Sequence, residues 1–286
     1  MFYLLPALKA TGFLFKYLFF MDIPSKQSKI VVLGSGTSQG VPMIGCPCAT
    51  CHSQDPRDNR TRCSLYITDG QSAILIDTPP ELRIQCLREN ISMLTAVLFT
   101  HSHADHIMGF DDLRRFCDLS GQKLPIYGSQ EVMESLARIF PYAFDPSSEK
   151  KGYLRVLPHV IAPYESFSIG SFTITAFPLP HGQTTTFGYL FEKEGEKILA
   201  YLVDCKSVPQ KTIERLSAVD YLFIDGLRDE PHPTHLSTSE AVAIARQIGA
   251  KKTFLTHITH HKSHKEREAS LPKNVHVGYD GLEIAF

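Results

Sequence analysis

The sequence predicts an α/β fold in which short apolar strands alternate with helices and loops. Several apolar runs of strand length end at, or just before, a residue of a metal-binding type, and these residues are His101, His181, Asp204, Asp225 and His257. Strand ends of this kind gather at one edge of a sheet, where ligands collect in layered α/β folds. We therefore expect these side chains to meet in space.

Three further segments support the α/β assignment. KIVVLGSG, which begins at Lys29, predicts a buried strand, but its glycines lack the spacing of a P-loop or a dinucleotide-binding turn. LYITDGQSAILIDT predicts a hairpin that turns at Asp69-Gly70. Ser237 and Glu240 form a capping box before an apolar stripe that ends at Gly249, which predicts a helix.

The composition predicts one globular domain over residues 29–286. Of the 286 residues, 43% are hydrophobic and 21% are charged, and the formal net charge is −1. A chain this close to neutral has no global field that attracts nucleic acid or an anionic membrane, so we expect neither as a stable partner. The seven cysteines lack the spacing of a disulfide framework, which favours reduced thiols and a cytoplasmic location.

Residues 1–28 form an apolar leader that we exclude from the fold argument. A signal peptide would need a cationic start and an A-x-A site, and neither is present. Lys9, Lys16 and Pro6 interrupt a membrane span. A mis-annotated start, with translation beginning at Met21, and a membrane-associated segment both stay open as interpretations.

The segment THSHADH is the strongest chemical signal in the chain. It places three imidazoles and one carboxylate within six residues, at His101, His103, Asp105 and His106. Zinc and similar divalent metals favour this mixture of nitrogen and oxygen ligands, and burying it without a metal would be costly. Two metals need more ligands, which His181, Asp204 and His257 can supply.

HSHADH resembles the HxHxDH signature of the metallo-β-lactamase superfamily, and the later His, Asp, His order matches its remaining ligands. The resemblance implies an αββα sandwich of two mixed sheets with helices outside, and two divalent metals, zinc or manganese. It assigns one metal to His101, His103 and His181, the other to Asp105, His106 and His257, and the bridging role to Asp204. Asp77 matches a buried aspartate that holds a ligand histidine from behind, although a turn residue before Pro79 is an equal alternative.

Cys46, Cys48 and Cys51 form a C-x-C-x2-C group, which we call the cysteine knot. Three neighbouring thiolates bind a tetrahedral metal well and need a fourth ligand. His260 is the leading candidate, and the competitors are His52, His261 and His264. With the HxHxDH run, the knot is similar to the cyclic phosphodiesterase branch of the superfamily, typified by phosphoribosyl 1,2-cyclic phosphate phosphodiesterase. That likeness implies a structural zinc bound by the knot and His260.

The resemblance implies hydrolysis of a small, cyclic phosphodiester by a metal-bridging hydroxide. His235 matches the histidine that protonates the leaving group, with His232 as the alternative, and we name His235 and Asp105 as catalytic residues. Arg228 is a candidate phosphate ligand or a surface ion-pair partner. Alternative functions are a tRNA 3′-processing nuclease, a thioester hydrolase and a non-catalytic relative of the coenzyme PQQ synthesis proteins. A homodimer is a further expectation.

Overall fold

The computed structural model describes residues 27–145 and 152–286, so residues 1–26 of the predicted leader lie outside the described residues. The first of two sheets contains the strands β1 (Lys29–Gly34), β2 (Ser64–Thr68), β3 (Ala73–Ile76), β4 (Ala96–Leu98), β5 (Leu124–Gly128), β6 (Val156–Val160) and β14 (Glu283–Ala285). Their order is β14-β1-β2-β3-β4-β5-β6. Pairing is antiparallel from β14 to β3 and parallel from β3 to β6.

The second sheet repeats this pattern. Its strands are β7 (Ser166–Ile169), β8 (Phe172–His181), β9 (Thr184–Lys193), β10 (Glu196–Leu202), β11 (Tyr221–Asp225), β12 (Lys252–Thr256) and β13 (Val275–Val277). Their order is β13-β12-β11-β10-β9-β8-β7. Pairing is antiparallel from β7 to β10 and parallel from β10 to β13. Both sheets are therefore mixed, as predicted.

Helices cover the outer faces of the two sheets. They are α1 (Leu82–Arg88), α2 (Ala104–Ile107), α3 (Arg114–Ser120), α4 (Gln130–Ile139), α5 (Gln210–Leu216), α6 (Thr238–Ile248) and α7 (His264–Ala269). One apolar cluster joins α1, α3 and α4 to the first sheet, and another joins α5 and α6 to the second. A third cluster lies between the sheets. The predicted αββα sandwich is confirmed.

Strand β3 explains why the layers form. Ile74 and Ile76 belong to the cluster between the sheets, whereas Ala73 and Leu75 belong to the cluster under the helices. Successive side chains of a strand point to opposite faces, so a strand covered on both sides needs a continuous apolar run. The sequence AILI meets that need, and all four residues are fully buried.

The predicted local elements are present. Strands β2 and β3 form the predicted hairpin. In α6, Ser237 caps the helix in a capping box with Glu240, and Gly249 ends it with a φ of 68°. In α4, the side chain of Ser129 caps the first turn by accepting from the backbone N–H of Val132. Within the described ranges, no helix is both long and apolar enough to cross a membrane.

Candidate metal centre

Strands of both sheets deliver the predicted metal ligands to one edge of the sandwich. Strand β8 ends at His181, and β12 ends one residue before His257. Asp204 follows β10 by two residues, and His101 follows β4 by three. Helix α2 follows His103 directly and carries Asp105 and His106, the last two donors of the HxHxDH run.

The first group of donors consists of three histidines. The Nε2 atom of His101 lies 2.9 Å from the Nδ1 atom of His103. The ring of His181 lies 5.4 Å from the His101 ring and 5.2 Å from the His103 ring, between centroids. One nitrogen from each ring falls within 4.8 Å of the others, which is close enough for one cation.

The second group contains Asp105, His106, Asp204 and His257. The Nε2 atom of His106 lies 2.6 Å from Oδ2 of Asp204 and 3.3 Å from Oδ2 of Asp105. The other Asp204 oxygen, Oδ1, lies 3.0 Å from Nε2 of His257. Because Oδ2 of Asp204 is also 3.7 Å from Nε2 of His101, this aspartate lies between the two groups, where a bridging ligand belongs.

The donor set fits divalent cations. Asp204, His106 and His257 are at most 2% exposed. Within the described part of the chain, both carboxylate oxygens of Asp204 and the Nε2 atoms of both histidines make no hydrogen bond. Buried polar atoms without partners are rare and costly, unless they coordinate an ion. Their spacing and nitrogen–oxygen character suit zinc or manganese.

Without a cation, the surroundings favour an ionised Asp204 and protonated His106 and His257 at the centre. Burial alone would raise the pKa of Asp204, but His257 and His106 outweigh burial and hold that pKa well below its usual range. The pKa values of His106 and His257 are raised well above normal because the nearby carboxylates outweigh burial. Burial lowers the pKa of His101 and His181, which keeps them as neutral rings. Cations that bind here displace the protons of His106 and His257.

Asp77 lies behind the centre and contacts a histidine from each donor group, one directly and one through Thr100. It is fully buried with a φ of 62°, and its Oδ2 accepts a hydrogen bond from Nδ1 of His106 at 2.7 Å. The hydroxyl of Thr100 donates to Oδ2 at 2.8 Å and accepts from Nδ1 of His101 at 3.0 Å. Both rings thus turn their Nε2 atoms towards the centre. The Thr100 relay had no signal in the sequence beyond its position next to His101.

His235 lies beside the second donor group and His232 does not. The Nδ1 atom of His235 is 2.7 Å from Oδ2 of Asp225 and 3.3 Å from Oδ1 of Asp204. His232 bonds the backbone and hydroxyl of Thr234, outside the pocket described next. Arg228, the candidate phosphate ligand, instead lies 4.0 Å from Glu230.

A pocket of about 470 Å³ opens onto the donors, a volume that suits a small ligand. Its wall includes His103, Asp105, His181, Asp204, His235 and His257. The remaining lining residues are Ser38, Gly182, Gln183, Thr184 and Thr234. No lysine or arginine is among these described lining residues. Sequence analysis found the charged and imidazole groups of the wall but not its neutral ones.

The cysteine knot meets His260, the leading candidate for its fourth ligand. The Nδ1 atom of His260 lies 3.4 Å from Sγ of Cys46 and 3.2 Å from Sγ of Cys48, and Cys51 completes the group. Hydrogen bonds from His260 and the Cys51 backbone lower the pKa of Cys48 to about 6, which favours the metal-binding thiolate. Of the competitors, His261 bonds Thr259 and His264 contacts Arg60.

Comparison with known proteins agrees with this geometry. Residues 72–258 match the β-lactamase superfamily domain. An octanoyltransferase from Porphyromonas gingivalis is 40% identical over 258 residues, which are 89% of this chain and 51% of that protein, so the chain spans about half its length.

Two solved structures extend the comparison. A diphosphatase of the PhnP family is 38% identical with a TM-score of 0.82, over 91% of this chain and 97% of its own. The zinc-bound PqqB protein of Methylobacterium extorquens shares the fold, with a TM-score of 0.74 at 22% identity over 90% and 99% of the two chains. The family match covers more than half of the sequence. The chain therefore belongs to the β-lactamase superfamily and has the metallo-β-lactamase fold, with donor groups that could hold metal ions.

Proposed function

We propose that the chain is a phosphodiesterase that hydrolyses a small, preferably cyclic, phosphodiester with two divalent cations, zinc or manganese. The observation that carries this proposal is His235, which Asp225 holds through its Nδ1 atom in the wall of the pocket that contains the metal donors. A group that can donate a proton thus lies next to a centre that can bind a phosphate, as cleavage of a phosphodiester with a poor leaving group requires.

The two donor groups described above would each hold one cation, with Asp204 between them. When bound, such a pair lowers the pKa of a shared water and neutralises charge on the phosphoryl oxygens. The protein's own contribution is to fix the ligands. Asp77 and Thr100 orient His106 and His101, and the backbone carbonyl of Thr234 accepts from Nδ1 of His181 at 3.0 Å.

His235 supplies the proton for the leaving oxygen. Its Nδ1–H donates to Asp225, so Nε2 is the nitrogen left for the substrate. The Asp225 carboxylate, 2.7 Å from Nδ1, holds the ring in place, and a proton carried on Nε2 can move to the departing alkoxide. Asp225 also accepts from the backbone N–H of Cys205 at 3.1 Å, which fixes the carboxylate itself.

The charge of the pocket wall favours a diester over more highly charged phosphates. With no lysine or arginine among the described lining residues, the metal ions would supply most of the charge that neutralises the substrate. A diester carries one negative charge, whereas a diphosphate carries several. Ser38, Gln183, Thr184 and Thr234 can hydrogen-bond neutral hydroxyls, such as those of a sugar. Diphosphate hydrolysis is the second candidate because a 38% identical protein is described as a diphosphatase.

A substrate panel tests the proposal. Purified protein, stripped and then reloaded with Mn²⁺ or Zn²⁺, is given bis(p-nitrophenyl) phosphate, a five-membered ribose cyclic phosphate, a diphosphate ester and an octanoyl thioester. We expect metal-dependent turnover, fastest on a diester. Preference for the diphosphate selects the second candidate, and preference for the thioester selects acyl hydrolysis. No metal-dependent turnover on any substrate favours a binding protein.

His235→Ala tests the proton donor. We expect unchanged metal content and a loss of roughly 10²–10⁴-fold on substrates with poor leaving groups, because those leaving oxygens need a proton. p-Nitrophenolate esters should lose far less. His232→Ala is the matched control, since that ring lies 5.0 Å from the His235 ring, between centroids, but outside the pocket wall. An equal loss on both ester classes would remove His235 from this role.

We further propose that the protein works in the cytoplasm without a stable nucleic-acid partner. The near-neutral net charge and the seven free cysteines support this. Size-exclusion chromatography with light scattering tests the expected homodimer, and retention of a labelled tRNA on the protein at moderate salt would contradict the partner prediction.

A further inference from the structure

Asp204 also belongs to a further group of close side chains, which shares His257 with the second donor group. Its Oδ1 atom lies 3.0 Å from Nε2 of His257 and also 3.3 Å from Nδ1 of His235. That same nitrogen of His235 lies 2.7 Å from Oδ2 of Asp225. We call Asp204, Asp225, His235 and His257 the resting quartet.

The spacing of the resting quartet suits a cation as well as that of the two donor groups does. One donor atom from each of its four residues falls within 4.8 Å of the others. Bonds of 2.0–2.1 Å in a tetrahedral zinc site place neighbouring ligand atoms about 3.4 Å apart. The three measured separations are 2.7, 3.0 and 3.3 Å, and the corresponding separations in the donor groups include 2.6, 2.9 and 3.3 Å.

Asp225 provides an independent sign of a missing partner. It is fully buried, and its Oδ1 atom makes no hydrogen bond to any described residue, although Oδ2 accepts from His235 and Cys205. A buried carboxylate oxygen without a partner is expensive. A cation in the resting quartet that Asp225 binds through both of its oxygens would offset that cost.

His257 prevents the second donor group and the resting quartet from each holding a cation at the same time. Its Nε2 atom has one lone pair, so it can bind the ion of the second donor group or an ion in the resting quartet, but not both. We propose that the second cation has two alternative positions, a working one completed by Asp105 and His106 and a resting one in the resting quartet.

The resting position would switch off the proton donor. A cation on Nδ1 of His235 replaces the proton that Asp225 otherwise accepts, and that proton leaves to solvent. Asp225 can then no longer hold His235 through an Nδ1–H bond, which is the arrangement that the proposed proton transfer uses. This inference rests on the two-cation centre of the proposed function, but its test measures binding and not turnover.

Cadmium-113 NMR and equilibrium dialysis of the full chain test the two positions. Cadmium in the cysteine knot resonates far from cadmium bound by nitrogen and oxygen, so each site is counted separately. Asp105→Asn weakens the working position only. We expect this variant to keep its second nitrogen- and oxygen-bound cation at a shifted resonance. Adding Asp225→Asn should lower the affinity for that cation by at least about tenfold.

Asp105→Asn with His235→Gln gives a second route to the same result, in case Asp225→Asn disturbs folding. Retention of the knot cadmium in every variant is the control for an intact fold. If Asp105→Asn alone loses the second cation as fully as the double variants, or if the double variants bind it as tightly as Asp105→Asn, the resting position is overturned and the proposed function stands. A wild-type protein with fewer than two such cations overturns both.

Discussion

Two candidate metal sites of this protein take ligands only three residues apart in the chain, yet they are built in different ways. His257 belongs to the buried centre and His260 to the cysteine knot. The centre takes its donors from the ends of packed strands and from α2, whereas the three cysteines of the knot lie between Gly34 and Pro56, a stretch of turns, bends and irregular loop with isolated β-bridges at Gly36 and Val41. All but one of the centre's donors are buried or half-buried, and every knot ligand is half-buried.

The difference extends to what lies behind each set of ligands. At the centre, Asp77 and Thr100 fix two histidines through hydrogen bonds of 2.7–3.0 Å. In the knot, the thiolates contact His260, backbone N–H groups and one another. The sandwich therefore positions the centre before a cation arrives, while the knot depends on its metal for shape. We expect the centre's cations to govern activity and the knot's metal to govern stability.

Asp204→Asn should have the largest effect. It keeps the shape of the bridging residue but removes the charge that faces His106 and His257. We expect turnover to fall by more than the roughly 100-fold that follows loss of a residue behind the ligands, and one cation to be lost. Elemental analysis and kcat/KM check this. The knot metal should remain, and its loss would contradict the separation of the two sites.

Asp77→Asn should have the next largest effect. An amide has only one accepting oxygen, so it loses either the bonds that Oδ2 accepts from His106 and the Thr100 hydroxyl or the bond that Oδ1 accepts from the Thr100 backbone N–H. It also removes the negative charge beside His106, so the ligand rings are held less firmly. We expect metal affinity at the centre to fall by about 10- to 100-fold, as measured by competition with a chelating dye. Thr100→Val is the matched control, because it removes only the link to His101. An equal loss in both variants would place the relay, and not Asp77 itself, in control.

Most ligands of both sites were predictable from the sequence because they are chemically distinctive. Histidines and aspartates at the ends of apolar runs marked His181, Asp204 and His257, and the spacing of three cysteines marked the knot. The structure brings the histidines and aspartates together at the centre, and it brings the three cysteines together with His260 in the knot. Sequence could not decide between His260 and its neighbours, since only the path of the chain after β12 determines which ring meets the sulfur atoms.

The supporting residues were less predictable because their chemistry is ordinary. Thr100 and the neutral pocket wall have no spacing that separates them from other polar residues. Asp77 was an even choice between turn and support, and what decides it is a backbone φ of 62° that sends its carboxylate under His106. Asp225 was noted at a strand end, but its contact with His235 depends on how the loop after β11 folds back.

Cys48→Ser tests the other side of the comparison. We expect the metal content to fall by one and the melting temperature to drop by at least about 5 °C, since each 1 kcal/mol shifts a chain of this size by roughly 2–4 °C. Activity below the transition should stay within a few-fold of wild type. Cys86→Ala is the control, because that buried thiol lies outside the knot. Loss of activity at full stability would show that the knot serves the chemistry.

His264→Asn should have the smallest effect, and it tests the joint between the two sites. His264 accepts a hydrogen bond from Arg60 at 3.2 Å through Nδ1, and its backbone N–H donates to Asp58 at 2.6 Å, which ties the end of the knot loop to the segment that carries His257 and His260. Burial, and then Arg60, lower the pKa of His264 to about 4.

The unfolded chain takes up a proton on this residue near pH 6.5 and the folded chain only near pH 4. Stability therefore falls as the pH drops through this window, and it is restored as the pH rises. Asparagine can accept from Arg60 without titrating, so the variant should lose on the order of 1–2 kcal/mol of that pH dependence. Urea unfolding at several pH values measures the difference between variant and wild type, in which acid loss of the metals cancels. Identical pH profiles would mean that His264 does not hold the knot loop through Arg60.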